Sequence, residues 1–357
     1  MIFIGYEIET THETSSYYWT EEALLRRGRS SFCAARLANG KILVAGGRTN
    51  SSVVSSSGEL YTSYEGWLAT PLMKNFRYSY TLTAFANSTK LLAAGSAYSS
   101  ALRTAEVYDS ATNSWTSTAS NMSYGRYSHS ATRLKNDEIM IIGGKSGATV
   151  IYSTVEIYTP SSNSFTDINS MNMPRHIFTS TLLNDGSTVL VTGGNYSNNA
   201  TTSTAELYIS GSWVFTTNNM THPRVFHSAV LLNDGNVLIA GGGNGISLSY
   251  STAEIFSPTT RTFAPVVSMK YNRALFTLTL LPSGKVLATG GVDLATNTYP
   301  LVCELYDPVT HSWSDTLMLN EGRTYHETIL LNDTSVLTIS GYNGESTRMR
   351  SCERYKL

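Results

Sequence analysis

The sequence predicts an all-β protein closed into a seven-bladed β-propeller, because one pattern of four features recurs about every 49 residues along the chain. The composition agrees: 41% of the 357 residues are hydrophobic and only 14% are charged, which suits many short strands packed face to face. Radially repeated folds reach this length as one unit. We therefore expect residues 1–357 to form a single domain.

Each repeat opens with an arginine, which is followed by a short apolar or hydroxyl-rich run such as residues 227–232. We interpret this run as strand a, the innermost strand of a blade. A tight turn such as Asn233-Asp234-Gly235 separates it from the next strand. The opening arginines are Arg29, Arg77, Arg126, Arg175, Arg224, Arg273 and Arg323.

An aliphatic strand b follows, and in five repeats it ends in a glycine pair such as Gly46-Gly47. Strand c carries the motif Glu-x-aromatic, and a further aromatic residue marks strand d in six repeats, as at Trp67 and Trp115. The glutamates of strand c are Glu59, Glu106, Glu156, Glu206, Glu254, Glu304 and Glu353.

The seventh repeat lacks its strand d, because the chain ends just after Tyr355. However, Tyr18-Trp19-Thr20 precedes the first repeat in the setting in which Trp115-Thr116 precedes the third. We expect the N-terminal segment, residues 1–20, to supply strand d of the last blade. This pairing would remove an open sheet edge that invites aggregation.

Glycine pairs, Glu-x-Tyr and a following Trp at this period resemble the kelch-repeat family, over about residues 19–357. The phrases FHSAVLLNDGNVLIAGGG and STAEIFSPTTRTF are similar to its galactose-oxidase-like branch. The resemblance implies a propeller. It does not select one activity, since propellers serve as enzymes, lectins and adaptor surfaces.

Charge and hydropathy exclude several partner classes. The net charge of −1 provides no basic field for nucleic acid, and no apolar run reaches the ~18 residues of a membrane span. The start MIFIGYEIE has no basic region of a signal peptide, so a cytoplasmic location is favoured if Met1 is the true start. We interpret the three cysteines as small buried hydrophobes.

Strand order places the b-to-c and d-to-a loops on one face, and the b-to-c loops are long, varied and polar. We expect this face to bind a protein or peptide partner; carbohydrate recognition by its tyrosines is the alternative. The candidate binding residues are Arg48, Tyr98, Arg103, Lys145, Tyr152, Tyr196, Tyr250, Tyr299, Tyr342 and Arg348.

The seven arginines could form an anion-binding ring, as the resemblance to kelch proteins that bind acidic peptides implies. We favour a structural role, because seven glutamates match them and open strand c at the same end of the blades. His129, His227 and His326 recur three residues after their arginine in alternate blades. Ligands of one metal must lie closer together than that, so packed histidines are expected.

The resemblance to galactose oxidase also implies a copper-site hypothesis. Phe32-Cys33 is similar to the sequence around that family's cross-linked cysteine, and Tyr325-His326 to its axial tyrosine and histidine ligands. Ser79 stands where the cross-linked tyrosine would be, and the remaining histidine belongs to a separate domain in that family. We therefore expect no metal, no other cofactor and no catalysis, with a degenerate oxidase-like enzyme as the remaining alternative.

Overall fold

The computed structural model describes residues 19–98, 101–198, 200–332, 334–345 and 347–357. Within these residues it contains seven four-stranded antiparallel sheets and no helix, which confirms the predicted all-β, seven-bladed class. Each sheet has the order a-b-c-d. The described residues contain no helix that could cross a membrane.

The first four blades follow one another along the chain. Blade 1 comprises Cys33–Arg36, Ile42–Ala45, Gly58–Thr62 and Gly66–Ala69. Blade 2 comprises Thr81–Phe85, Lys90–Ala94, Ala105–Asp109 and Ser114–Ser117. Blade 3 comprises Ser130–Arg133, Ile139–Ile142, Val155–Thr159 and Ser164–Ile168. Blade 4 comprises Thr179–Leu182, Val189–Thr192, Ala205–Ile209 and Ser212–Phe215.

The remaining blades complete the ring, and two of the b-to-c loops form short hairpins. Blade 5 comprises Val225–Leu231, Val237–Gly243, Ala253–Ser257 and Thr262–Val266. Blade 6 comprises Thr277–Leu280, Val286–Thr289, Val302–Asp307 and Ser312–Met318. Blade 7 comprises Glu327–Asn332, Ser335–Ile339, Cys352–Lys356 and Thr20–Glu22. The hairpins are Lys145–Ser146 with Val150–Ile151, and Asn195–Ser197 with Ala200–Thr201.

The N-terminal strand closes the ring as the sequence predicts. Thr20–Glu22 pairs antiparallel with strand c of blade 7, with Thr20 opposite Arg354. Trp19 lies against Tyr355, with ring centroids 5.2 Å apart, as Trp67 lies against Tyr61 in blade 1. Residues 1–18, including Tyr18 of the predicted closing segment, lie outside the described residues.

The hydrophobic core lies between neighbouring blades. Strand b is buried in every blade, as in Ile42–Ala45 and Ile139–Ile142. The glycine that ends it adopts positive φ and lets the next blade approach: a Cβ on Gly46 would lie 2.6 Å from the carbonyl of Arg77. Strand a, by contrast, keeps partial access to solvent, as in Thr179–Leu182. The innermost strands therefore border an accessible axial channel.

Candidate functional site

The blade topology defines two faces. The b-to-c and d-to-a loops lie together on one face, here called the loop face, and the a-to-b and c-to-d turns lie on the opposite turn face. The candidate binding residues all belong to b-to-c loops and are therefore on the loop face. What each of them can do depends on how the blade arginines and glutamates hold these loops.

Every opening arginine is fully buried and forms an ion pair with the glutamate of its own blade. In blade 3, Nη2 of Arg126 donates to Oε1 of Glu156 at 2.7 Å, and Nη1 donates to the carbonyls of Gly143 and Thr154. Burial lowers the pKa of Arg126, and Glu156 opposes this shift. The pairs are Arg29–Glu59, Arg77–Glu106, Arg126–Glu156, Arg175–Glu206, Arg224–Glu254, Arg273–Glu304 and Arg323–Glu353.

The second carboxylate oxygen of these glutamates fixes the d-to-a loop. Oε2 of Glu156 accepts the backbone N–H of Ser123, which lies three residues before Arg126, at 2.7 Å. The same bond joins Glu59 to the N–H of Arg26, three residues before Arg29. Because each guanidinium is fully buried and paired with the glutamate of its own blade, these arginines position the loop face and present no charge to a ligand.

The three repeated histidines are packed between blades. Nε2 of His129 lies 2.9 Å from Oγ1 of Thr81 in the preceding blade, and Nε2 of His227 lies 3.0 Å from Oγ1 of Thr179. Burial lowers the pKa of His129, His227 and His326 to about 3 in each case, and the neighbouring blade arginines add to the shift. They are neutral structural groups at physiological pH.

The residues that resemble a copper site do not fit a copper ion. The ring of His326 is buried, and its Nε2 lies 3.3 Å from Oγ1 of Thr277. The thiol of Cys33 donates to the carbonyl of Tyr80 at 3.2 Å, and Ser79 offers only a hydroxyl. The described residues contain no group of three or more His, Cys, Asp or Glu side chains that could hold a metal. These residues do not form the donor set that Cu²⁺ prefers.

Several candidate binding residues support the blade instead of facing solvent. Tyr152 and Tyr250 are half-buried over the guanidinium groups of Arg126 and Arg224, at 5.5 and 5.9 Å from ring centroid to Cζ. Tyr299 packs against Gly322 and Gly344. Tyr152 and Tyr250 each stand four residues before the glutamate of their blade. This shared position in the repeat was a signal in the sequence for a structural role.

Two other candidate arginines stack on tyrosines without a carboxylate partner among the described residues. Cζ of Arg48 lies 4.5 Å from the ring centroid of Tyr78, and Cζ of Arg348 lies 4.3 Å from that of Tyr342. Their Nε atoms are buried and unpartnered. They differ from the blade arginines because no counter-charge neutralises them, so they can still bind an anionic group.

The other candidates have separate environments. Nζ of Lys145 lies 5.5 Å from the ring centroid of Tyr127. Arg103 is exposed, and its Nε donates to the carbonyl of Met122 at 2.7 Å. Tyr196 is exposed on its hairpin. The structure does not gather these residues into one cluster with Arg48.

Near Arg48, the loop face carries exposed apolar side chains, which we call the outer apolar patch: Val53, Leu72, Phe76 and Tyr98. Leu72 is 64% exposed and Phe76 is 44% exposed. Val53, Leu72 and Phe76 line one depression with Arg27, and the rings of Phe76 and Tyr98 lie 5.2 Å apart. Sequence reasoning found Tyr98 but missed the others, because Leu72 and Phe76 lie in a d-to-a loop that shows no repeat-breaking pattern.

Comparisons with known proteins agree with this architecture. A family model described as the Kelch motif matches residues 126–172 and 223–270. A novel fungal alcohol oxidase of the AA5 family, in complex with copper, has a TM-score of 0.74 at 18% identity, covering 95% of this chain and 76% of that chain. YjhT has a TM-score of 0.63 at 12% identity, covering 84% of this chain and 100% of that chain. No curated protein sequence matches the chain.

At these identities the two structural likenesses concern the fold alone.

Proposed function

From the premise that this chain is a kelch-repeat β-propeller, we propose that it is a non-catalytic binding module whose loop face takes a protein or peptide partner. The observation that carries the proposal is the outer apolar patch. Large apolar side chains are exposed together there on a scaffold that the buried Arg–Glu pairs hold rigid. Contiguous exposed apolar groups next to polar ones are typical of protein interaction sites.

The charges beside the patch indicate the chemistry of the partner. Arg27 and Arg48 flank it, and neither forms an ion pair within the described part of the chain. An arginine stacked on a tyrosine keeps its guanidinium edge free for a carboxylate, and Tyr and Arg are enriched at interface hot spots. We propose that the partner presents an extended segment with an apolar anchor and a neighbouring acidic side chain.

The test is selection of peptides from a random display library on the wild-type protein, followed by affinity measurement on variants. The double variant Phe76→Ala/Tyr98→Ala should weaken the selected peptides by about tenfold or more, since truncating a hot-spot residue costs roughly 2 kcal/mol. Tyr64→Ala is the matched control, because this tyrosine is 97% exposed but lies in a c-to-d turn on the turn face. It should leave the affinity unchanged.

Equal binding by the wild type and the double variant would refute the role of the patch. Carbohydrate recognition is the competing function, and a glycan array read with the same proteins distinguishes it: glycans bound equally by wild type and double variant, with no peptide selected, would replace the proposal. Copper-dependent release of peroxide, the activity expected of a degenerate oxidase, would also overturn it.

A further inference from the structure

A ring of seven residues surrounds the axis on the loop face, which we call the axial mouth. Each stands two positions after a blade arginine, and each has a positive φ, between 49° and 58°, although none is glycine: Ser31, Ser79, Ser128, Ile177, Phe226, Leu275 and Tyr325. A β-branched residue such as Ile177 adopts this conformation only when its surroundings impose it. The mouth is therefore a fixed element of the fold.

Backbone hydrogen bonds between adjacent blades hold the axial mouth in place. The N–H of Ser79 donates to the carbonyl of Ser31 at 3.1 Å, and the N–H of Ser128 donates to that of Ser79 at 2.9 Å. Ile177 donates to Ser128 at 3.0 Å in the same way. Because these bonds use the backbone, the side chains are left around an accessible opening: that of Tyr325 is exposed and the other six are half-buried.

The mouth has two chemically different arcs. Blades 1 to 3 contribute Ser31, Ser79 and Ser128, whose hydroxyls form no hydrogen bond with another described group. Blades 4 to 6 contribute the half-buried apolar side chains of Ile177, Phe226 and Leu275. One side of the opening can therefore accept or donate hydrogen bonds, and the other can cover an alkyl chain.

One carboxylate lies just inside this mouth. Four residues after the blade arginine, six blades carry a small neutral side chain, whereas blade 7 carries Glu327. The equivalent Thr81 and Thr277 bond to a histidine of the following blade. In blade 1 the register of these histidines is occupied by Phe32, whose ring accepts no such bond.

Glu327 has no hydrogen bond or ion pair with another residue in the described ranges. Burial raises its pKa to about 8. Its charge also raises the pKa values of Cys33 and Tyr80, after the larger effect of burial on each. This carboxyl lacks the counter-charge that every blade arginine and glutamate has.

We propose that the axial mouth binds a primary ammonium group carried on an alkyl chain, with the ammonium on Glu327 and the chain against Ile177, Phe226 and Leu275. Glu327 begins strand a of blade 7 two residues after Tyr325, so it lies at most about 7 Å from the mouth along the chain. The four-carbon stem of a lysine side chain or of butylamine is matched to that depth. This site is separate from the outer apolar patch and does not depend on the proposed peptide partner.

The site suits an ammonium better than a metal ion. Ca²⁺ takes six to eight oxygen ligands and Mg²⁺ near-octahedral coordination. One carboxylate beside a thiol and a phenyl ring does not supply such a set, whereas an ammonium needs a counter-charge and a few acceptors for its three N–H groups.

The test is calorimetric titration of the full-length protein with butylammonium chloride, N-acetyl-lysine methylamide and butanol. Butylammonium should bind the wild type, and Glu327→Gln should weaken it by about tenfold or more, because a hydrogen bond to a charged group contributes roughly 1.5–3 kcal/mol. Glu345→Gln, an exposed change in the b-to-c loop of the same blade, should alter the affinity by less than about twofold. Butanol should bind far more weakly.

Binding should also release close to one proton at pH 7, because the empty carboxyl is mostly protonated there and the bound one is ionised. Cys33 and Tyr80 stay neutral at this pH, since burial raises their pKa values, and the pKa of His326, the residue before Glu327, is lowered to about 3. The affinity should therefore rise from pH 6 to pH 8. Proton release and the pH dependence of the affinity are measured on the wild-type protein, so they test the proposal even if Glu327→Gln fails to fold.

Equal affinity of wild type and Glu327→Gln, absence of proton release, or displacement of butylammonium by Ca²⁺ would each overturn the proposal. Binding of the lysine derivative at comparable affinity would identify a partner's lysine as a source of the ammonium. Binding of butylammonium alone would identify a small amine. Because the outer apolar patch is not involved, Phe76→Ala/Tyr98→Ala should leave all of these results unchanged.

Discussion

Trp19 offers a quantitative test of how the N-terminal strand closes the ring. It is 2% exposed and belongs to a cluster of buried residues that includes Leu281, Leu287 and Tyr355. Its backbone N–H donates to the carbonyl of Met318 at 2.9 Å, so it also ties blade 7 to blade 6. Replacing it with alanine would remove the indole from the interface between blades 6 and 7, where it packs against Tyr355.

Truncating a buried aromatic residue to alanine costs about 3–5 kcal/mol. The indole Nε1 of Trp19 is buried without a hydrogen-bond partner in the described chain, which already offsets part of the stability that the ring contributes. We therefore expect Trp19→Ala to lower the free energy of unfolding by about 3 kcal/mol and Trp19→Phe by less than about 1 kcal/mol. Urea unfolding followed by far-ultraviolet circular dichroism measures both values.

Trp213 is the matched control, since its Nε1 donates to the carbonyl of Asn169 at 2.9 Å. Trp213→Phe leaves that carbonyl unpaired, and we expect it to cost about 1 kcal/mol more than Trp19→Phe. If Trp19→Ala unfolds at the same urea concentration as the wild type, closure by the N-terminal strand contributes nothing to stability and the reasoning is refuted.

Three further predictions concern charge. Glu156→Gln leaves Arg126 buried without a counter-charge and should cost about 3–5 kcal/mol in urea unfolding, whereas Asp315→Asn in an exposed ion pair should leave the midpoint unchanged. The pKa of His227 is lowered to about 3, so its contribution to the free energy of unfolding is full above pH 6.5 and is lost as the pH falls. His227→Asn should therefore lose less stability than the wild type between pH 7 and pH 5. An equal loss of stability in the two proteins would contradict this. The pKa of Glu327 is raised to about 8, so stability should fall from pH 6 to pH 8 by up to ~1.4 kcal/mol per pH unit, and Glu327→Gln should abolish that slope in urea titrations.

The sequence predicted the blades because their period is carried by residues whose role is local. An opening arginine, a glycine pair and Glu-x-aromatic recur in register since each blade needs the same buried ion pair and the same close approach of its neighbour. The N-terminal closure was predictable for the same reason, because Trp19 occupies the place that Trp67 occupies in blade 1.

The candidate site was less accessible to sequence reasoning. Exposure of Leu72 and Phe76 depends on how a d-to-a loop lies over two blades, and no local pattern encodes it. The two arcs of the axial mouth became visible only once the ring brought Ser31 and Phe226 to the same opening. The sequence shows Glu327 as the exception among the small side chains that stand four residues after each blade arginine. That its carboxyl has no hydrogen-bond or ion-pair partner among the described residues could be seen only in the structure.

Hydrogen exchange measured with and without a peptide selected on the wild-type protein tests the central claim, that the loop face is the binding surface, most directly. We predict slower exchange in residues 48–54 and 72–78, around the outer apolar patch, and unchanged exchange in residues 62–66 on the turn face. Protection confined to the turn face, or bound peptide without protection of either loop segment, would contradict the account.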